Sequence, residues 1–323
     1  MKADSETAID ISVSIVSYNT RDLLRECLLS LQERSNEAHL EIIVIDNGSH
    51  DGSAEMVERE FPAVILKRAG ENLGYGIANN RALEGATGKY FWVLNSDTTI
   101  EPKAITTMLK AMRSRPQCGA IGARLILPDG STQPSCAGDP SLWAIFCEQT
   151  YLYKLLPNHP LTGGYAMTDW SYDQPRNVAQ VCGASLLVRR EAWRQAGGFD
   201  AAFFMYFEDT DFCLRLRRAG WEIWFEPEAR IRHHLGGSSA RDWRTRARMI
   251  ASYNWSRVFY FGRYKGRCGA QMVRALALMG AFLRALSWRL VAFHPARRQS
   301  AREQVKIFRE VWRRTRAIGN EVK

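Results

Sequence analysis

The 323-residue sequence predicts an α/β fold: a mostly parallel central sheet with helices on both faces, followed by a basic helical extension. Three observations lead there. Nearly uniform apolar runs alternate with stretches of helical spacing over the first hundred residues, the pattern of parallel strands covered on both faces. Polar residues gather where those runs end, which is where ligands of such sheets collect. Charge is also divided unevenly: residues 241–323 carry 20 Lys and Arg against 4 Asp and Glu, which leaves 24 basic and 30 acidic residues for 1–240. The expected division is therefore a mildly acidic main domain over 1–240 and a basic region over 241–323.

The alternation in DISVSIVSYN (10–19) makes the first strand, and RDLLRECLLSLQE (21–33) follows with leucines at helical spacing. LEIIVID (40–46) is a β-branched run ending on Asp46, with a Gly/Ser/Asp turn and a helix to Arg59 behind it. AVILKR (63–68) is a third strand, and the helix GIANNRALEGA (76–86) leads to a fourth, KYFWVLN (89–95). Residues 128–177, rich in Pro, Gly and aromatics without a sustained period, read as long loops and short helices. A strand returns over 177–190, and a short helix over 191–196 is closed by Gly197 and Gly198. Residues 204–221 start acidic and run into a helix that stops at Gly220, and 222–239 read as a strand pair and a turn.

With 46% hydrophobic and 24% charged residues the composition is that of a globular protein, not a disordered one. Seven cysteines at 27, 118, 136, 147, 182, 213 and 268 include no C-x-x-C pair, so they read as small buried hydrophobes in a reducing compartment. The polar start MKADSETAIDIS has no signal-peptide core, which points to a cytoplasmic location.

Chemistry concentrates at the strand ends. After Phe91–Leu94, four large apolar residues, come Asn95, Ser96 and Asp97. A carboxylate at the tip of a core strand is costly unless paired or bound to a metal, and Asn and Asp oxygens at i and i+2 can reach one hard divalent cation or its water shell. The same residues can also simply cap a turn. Asn19 and Asp46 occupy equivalent strand ends. Asp46 can accept from the imide N–H of uracil or thymine, and Tyr18 can cover the base face. In ENLGYGIANN (71–80), Asn72, Gly74 and Asn79 surround a helix start whose free N–H groups favour a diphosphate. The stretch lacks the last glycine of a dinucleotide fingerprint. Glu208, Asp209 and Asp211 crowd three carboxylates beside Phe204, Tyr206, Phe207 and Phe212, an arrangement that raises proton affinity and suits a general base. Acidic residues also ordinarily decorate a helix start, and Asp211 with Arg215 reads as an i,i+4 ion pair. His233 and His234 follow on the next strand end and could complete a metal site.

In this order, VSIVSYNTRDLLRECLLSL, EIIVIDNGSHDGS, ENLGYGIANNRAL, YFWVLNSDTTI, VCGASLLVRREAWRQAGGFD, FMYFEDTDFCLRLRRAGW and PEARIRHHLGGSS resemble the motifs of family 2 glycosyltransferases, in particular the bacterial rhamnosyltransferase-like branch. The resemblance spans residues 13–239. It implies a Rossmann-like GT-A fold, a nucleotide-diphosphate sugar donor with rhamnose one candidate sugar, Mg²⁺ or Mn²⁺ as cofactor, and inversion at the anomeric carbon. It matches Asp46 to the base-reading aspartate, Asn95–Asp97 to the metal motif and His233 to the metal-binding histidine, so the expected donor residues are Tyr18, Asn19, Asp46, Asn72, Gly74, Asn79, Asn95 and Ser96, and the expected metal ligands Asp97 and His233. Gly183, Ala184 and Glu208 border the acceptor, and Asp209 matches the catalytic base. The acceptor it implies is a glycan, commonly polyprenyl-diphosphate-linked, in cell-surface polysaccharide synthesis.

AQMVRALALMGAFLRALSWRLVAF (270–293) is long enough to span a membrane, but Arg274, Arg284 and Arg289 fall within an arc of roughly 140° and leave a wide apolar face. That pattern, continued by Val305, Phe308 and Trp312 among arginines, suits a helix lying on an anionic membrane surface, on the inner face of the cytoplasmic membrane. Packing of the helices on the main domain is the other reading. No nucleic-acid motif accompanies the charge, so nucleic acid is not an expected partner. Two other functions share parts of the pattern. A sugar nucleotidyltransferase needs a Gly-rich basic loop after the first strand, which VSYNTRDLL lacks. A non-catalytic nucleotide-sugar or glycan-binding protein would bind donor without turnover.

Overall fold

The structure, a computed structural model, describes residues 9–156, 159–168, 170–235 and 242–319. The expected turn over 236–239 lies outside the described residues. The chain forms two compact units, Met1–Gly138 with Trp170–Phe204 and Glu208–Ser238, and Asp139–Asp169 with Met205–Phe207 and Ser239–Lys323.

In the first unit, β1 (Ile11–Ser17), α1 (Arg21–Glu33), β2 (Leu40–Asp46), α2 (Ser53–Glu60), β3 (Ile65–Arg68), α3 (Tyr75–Leu83) and β4 (Tyr90–Asn95) follow the predicted alternation. α1 forms because Leu24, Cys27, Leu28 and Leu31 fall on one face, and all four are fully buried in the core. Each such leucine contributes about 1.5–3 kcal/mol. β5 (Thr98–Ile100), α4 (Ala104–Ser114) and β6 (Cys118–Ile126) occupy a stretch left unassigned from the sequence, although Ile105, Met108, Leu109 and Met112 carry helical spacing and are buried. β7 (Thr132–Gln133) and β8 (Cys136–Ala137) are short strands in the irregular region.

The strand expected over 177–190 is broken. β9 (Arg176–Asn177), β10 (Gln180–Val181) and β11 (Ser185–Arg189) are separated in part by residues 182–184, where the Gly183 N–H is turned to a carboxylate instead of a strand neighbour. In the rest of this unit α8 (Arg190–Ala196) ends at left-handed Gly197, α9 (Glu208–Arg218) carries the acidic cluster, and β12 (Glu222–His233) is one strand, not a pair. Its register with β6 shifts between Glu226 and Arg230, around Pro227, which has no N–H to give a ladder. Asp211, fully buried, pairs with Arg215 at 2.7 Å as expected.

The main sheet runs β3-β2-β1-β4-β11-β6-β12-β5. It is parallel from β3 to β4; β11 then enters antiparallel to both β4 and β6, and β12 is parallel to β6. Register fixes the strand ends: Ser17 lies opposite Asp46 on one side of β1, and Val16 opposite Asn95 on the other. Asp46 and Asn95 thus stand two strand spacings apart, about 10 Å, at the same sheet edge.

The second unit is helical: α5 (Leu142–Gln149), α6 (Leu152–Leu155), α7 (Pro160–Gly163), α10 (Trp243–Val291) and α11 (Arg298–Arg316). Asp242 caps α10 by accepting from the Arg244 and Thr245 N–H groups. Gly266, at φ 71° and ψ −177°, breaks the helix in a conformation that only glycine adopts readily. By length and composition α10 is long and apolar enough to cross a membrane. Its arginines do not form a common solvated face. Arg284 reaches the Gln149 side chain, the Glu148 carbonyl and the Tyr151 hydroxyl, and Arg274 the Arg316 carbonyl, while Arg289 is exposed. Met272, Phe282, Leu283, Leu286 and Leu290 are exposed instead. At 100° per residue they fall within an arc of about 100°. Among the cysteines, two depart from expectation: Cys182 is half-buried and Cys268 is exposed.

Candidate active site

The first unit gathers its polar side chains at the carboxyl ends of β1, β2 and β4. Asp46, 6% exposed, accepts from the Ser49 N–H through Oδ2 at 3.2 Å, while its Oδ1 is buried without a partner. A buried carboxylate oxygen with nothing to accept from is costly, and a ligand N–H would satisfy it. Tyr18, 37% exposed, follows the end of β1 and precedes Asn19, whose φ of 55° turns the chain so that its Oδ1 accepts from the His50 N–H at 2.8 Å. Those contacts tie the loop after β1 to the loop after β2.

Asn47, which the sequence reading missed, anchors the next loop. Its Oδ1 accepts from the Leu73 N–H at 2.9 Å, and its Nδ2 donates to Asn72 Oδ1 at 3.1 Å and the Gly74 carbonyl at 3.3 Å. Asn72 Oδ1 also accepts from the Gly74 N–H. Gly74, at φ 81°, lies so close to Phe204 that a Cβ would come within 2.8 Å of its ring. The missing side chain lets these two segments pass. Asn79 is corrected: it is fully buried, accepts from Ser14 Oγ at 2.7 Å and donates to the Tyr75 carbonyl at 3.0 Å, so it braces α3 against β1 and does not face a donor.

Asp97 and His233 meet, Oδ1 to Nε2, at 3.1 Å. The antiparallel register that sets His233 opposite Thr98 brings them together. Gln133 Oε1 lies 2.7 Å from the other ring nitrogen, Nδ1, and fixes the ring. Nothing in the aperiodic sequence around Gln133 marks it. His234 turns elsewhere: its Nε2 is 3.5 Å from Thr99 Oγ1. Among the described residues no three His, Cys, Asp or Glu side chains converge as a metal-holding group. The pair nonetheless has the right donor chemistry, a carboxylate and an imidazole. Ser96, buried, is held by Thr20 at 2.9 Å.

A hydrogen-bonded path joins this pair to the acidic cluster. Asn95 Nδ2 is 3.3 Å from His233 Nε2, and Asn95 Oδ1 accepts from the Tyr75 hydroxyl at 2.9 Å. Tyr75 also donates to the Gly183 carbonyl at 2.8 Å, and the Gly183 N–H donates to Asp209 Oδ2 at 3.0 Å. The Ala184 carbonyl accepts from the Asn95 N–H at 3.0 Å. Asp209 Oδ1 accepts from the Thr210 N–H at 2.7 Å. Burial pushes the Asp209 carboxyl above its ordinary range against these hydrogen bonds. Glu208, 6% exposed and with Oε2 unpartnered, is pushed well above it by burial and by the charge of Asp209. Tyr75, inside the quoted GYG stretch, was also not singled out from sequence.

Residues 12–173 match the model of glycosyl transferase family 2, and residues 142–299 that of glycosyl transferase family group 2. The chain is 34% identical over 267 residues, 79% of its length and 85% of the relative's, to the N-acetylglucosaminyl-diphospho-decaprenol L-rhamnosyltransferase of Mycobacterium tuberculosis. It is 26% identical over 242 residues to the O-antigen biosynthesis protein RfbC of Myxococcus xanthus, matching 72% of this chain and 18% of that one. Two solved structures share the fold. GalNAc-T7 with UDP, GalNAc and Mn²⁺ matches at a TM-score of 0.56 and 14% identity, covering 82% of this chain and 52% of that one. The mannosyltransferase PcManGT of Pyrobaculum calidifontis with GDP-Man and Mn²⁺ matches at 0.53 and 17%, covering 98% and 91%. With a GT-A sheet, the ordered motifs at its strand ends and a relative sharing a third of the aligned residues, the chain belongs to glycosyltransferase family 2, as a rhamnosyltransferase-like member.

Proposed function

We propose that the protein is an inverting, divalent-metal-dependent glycosyltransferase that moves a sugar, rhamnose first among candidates, from a uridine or thymidine diphosphate donor to a hydroxyl of a lipid-linked glycan. The observation that carries this reading is the continuous path from Asp97 and His233 through Asn95, Tyr75 and Gly183 to Asp209. It puts a cation-suited pair and a carboxylate of raised proton affinity in one connected site. The base preference rests on the orphaned Asp46 Oδ1. The acceptor class rests on the relative whose name specifies a diphospho-decaprenol carrier.

In this mechanism Tyr18 and Asp46 bind the base, and Asn19 and Asn72 order the loops around it. Asp97 and His233 would hold Mg²⁺ or Mn²⁺, whose chemistry when bound is to neutralise charge on the departing diphosphate. Asp209 takes the proton from the acceptor hydroxyl while its oxygen bonds to the anomeric carbon and the bond to the diphosphate oxygen breaks. A single displacement of this kind inverts the configuration. Glu208, Gly183 and Ala184 form the acceptor side. Within residues 1–240, the first unit supplies the catalytic domain. The basic 241–323 region, with its exposed apolar stripe on α10, rests on the anionic inner face of the cytoplasmic membrane, where such an acceptor resides.

The test is a panel of uridine and thymidine diphosphate sugars, including TDP-rhamnose, assayed with and without Mn²⁺ against a GlcNAc-diphospho-polyprenol. Metal-dependent transfer is expected, and its absence with every donor overturns the reading. In D209N, TDP affinity stays within twofold of wild type and kcat falls about 10²–10⁴-fold; near-normal turnover removes Asp209 from its role.

A further inference from the structure

One hydroxyl stands between the two halves of the site. Tyr75 Oη lies 2.9 Å from Asn95 Oδ1 and 2.8 Å from the Gly183 carbonyl, so a single proton is shared in a three-centre bond between β4 and the 182–184 break. The Gly183 N–H on the other side of that residue donates to Asp209. A Cβ on Gly183 would come 3.1 Å from Tyr75 Cε1, so the ring also sets how near the loop approaches. Tyr75 is itself fixed at the start of α3, where its N–H donates to the Phe204 carbonyl at 2.8 Å. Residues 182–184 belong to no strand; the Asn95 N–H donates to the Ala184 carbonyl and the Cys182 N–H to the Ser135 carbonyl on either side, which leaves the Gly183 carbonyl to Tyr75.

We propose that Tyr75 is a positioning residue: it holds the Gly183 loop, and through the Gly183 N–H the Asp209 carboxylate, in register with Asn95 beside the Asp97–His233 pair. The proposal deepens the glycosyltransferase reading and rests on it for the catalytic consequence. Burial and the charges of Glu208 and Asp209 push the Tyr75 phenol well above its ordinary range, which keeps its proton available to donate. Without the hydroxyl the Gly183 carbonyl loses its partner, the middle of the loop loosens between its two flanking backbone bonds, and the base samples orientations away from the acceptor. Donor contacts on β1 and β2 are untouched by the change.

The test uses the full-length chain with Tyr75→Phe, which keeps the ring and deletes the hydroxyl. A kcat at least tenfold below wild type is expected, with KM for TDP-rhamnose and the affinity for TDP with Mn²⁺ within twofold. Hydrogen exchange at residues 182–184 is expected to quicken. Gly183→Ala keeps the hydroxyl but pushes loop and ring apart, and is expected to give the same pattern. A purely structural role would instead raise KM and lower the melting temperature together with kcat. Turnover of Y75F within twofold of wild type overturns the proposal, as does unchanged exchange at 182–184. If the wild-type chain transfers no sugar from any donor, the function is refuted, while the exchange measurement still decides whether Tyr75 holds the loop.

Discussion

Replacing Asp46 with Asn tests how the donor base is read. Oδ2 of Asp46 is occupied by the Ser49 N–H, and Oδ1 is buried with nothing to accept from. In the proposed base-reading role, the imide N–H of uracil or thymine is the missing donor, in a bond to a charged acceptor worth about 1.5–3 kcal/mol. Losing it weakens TDP and UDP binding roughly 10- to 150-fold. In D46N the amide oxygen can still take the Ser49 N–H, and the unpartnered atom becomes a donor instead of an acceptor. The free protein therefore loses a buried charge and keeps its loop bond. Its melting temperature moves by less than about 4 °C, the shift produced by a change of about 1 kcal/mol. The new amide N–H meets the imide N–H head on, but suits cytosine, whose N3 accepts. CDP should then bind D46N more tightly than TDP does, reversing the wild-type order. Calorimetric titration of TDP, UDP and CDP with Mn²⁺, beside thermal melts without ligand, measures each quantity. TDP affinity within threefold of wild type in a fully folded variant would refute base reading by Asp46.

Glu208 supplies a stability test. Its folded proton affinity is raised by burial and by Asp209, so its contribution is favourable below the unfolded carboxyl pKa and is lost as pH rises through the folded value. E208Q should therefore melt higher than wild type at pH 7, with the gap closing as pH falls towards about 4; equal gaps at both pH values exclude this origin. For the helical region, charging the exposed stripe with Leu286→Glu and Leu290→Glu should abolish flotation with phosphatidylglycerol vesicles while leaving TDP affinity intact. Wild-type chain that does not float removes the membrane assignment.

The parallel half of the sheet was legible because each strand is an uninterrupted apolar run that ends on a polar residue, and Asp46 and Asn95 duly end β2 and β4. The mixed half was legible only in part: strands were expected where β11 and β12 lie, but not β5 or β6, and the register joining β5, β6 and β12 is long-range, which no local pattern carries. Asp97 and His233 were legible as chemistry, but their 3.1 Å meeting depends on β12 pairing with β5. Gln133 and Tyr75 escaped for different reasons. Gln133 acts from a two-residue strand without any period. Tyr75 sits between two glycines with no local sign of its partner, because the Gly183 loop that closes on it lies more than a hundred residues away. Asn79 misled because a polar residue near a helix start suits a phosphate site and a buried brace equally well.

The thiol distribution has a practical consequence. Burial pushes Cys27, Cys118, Cys182 and Cys213 up to about 12 and raises Cys136 and Cys147 as well, so at neutral pH these groups stay protonated and shielded. Cys268 is exposed, with its sulfur 3.9 Å from that of Met272. An alkylating dye added to the native chain should mark this position first, ahead of half-buried Cys182 whose thiol stays protonated, one helical turn from the start of the uncovered leucine-rich face. An environment-sensitive fluorophore there would change colour when oil replaces water around α10, reporting lipid contact with no engineered residue.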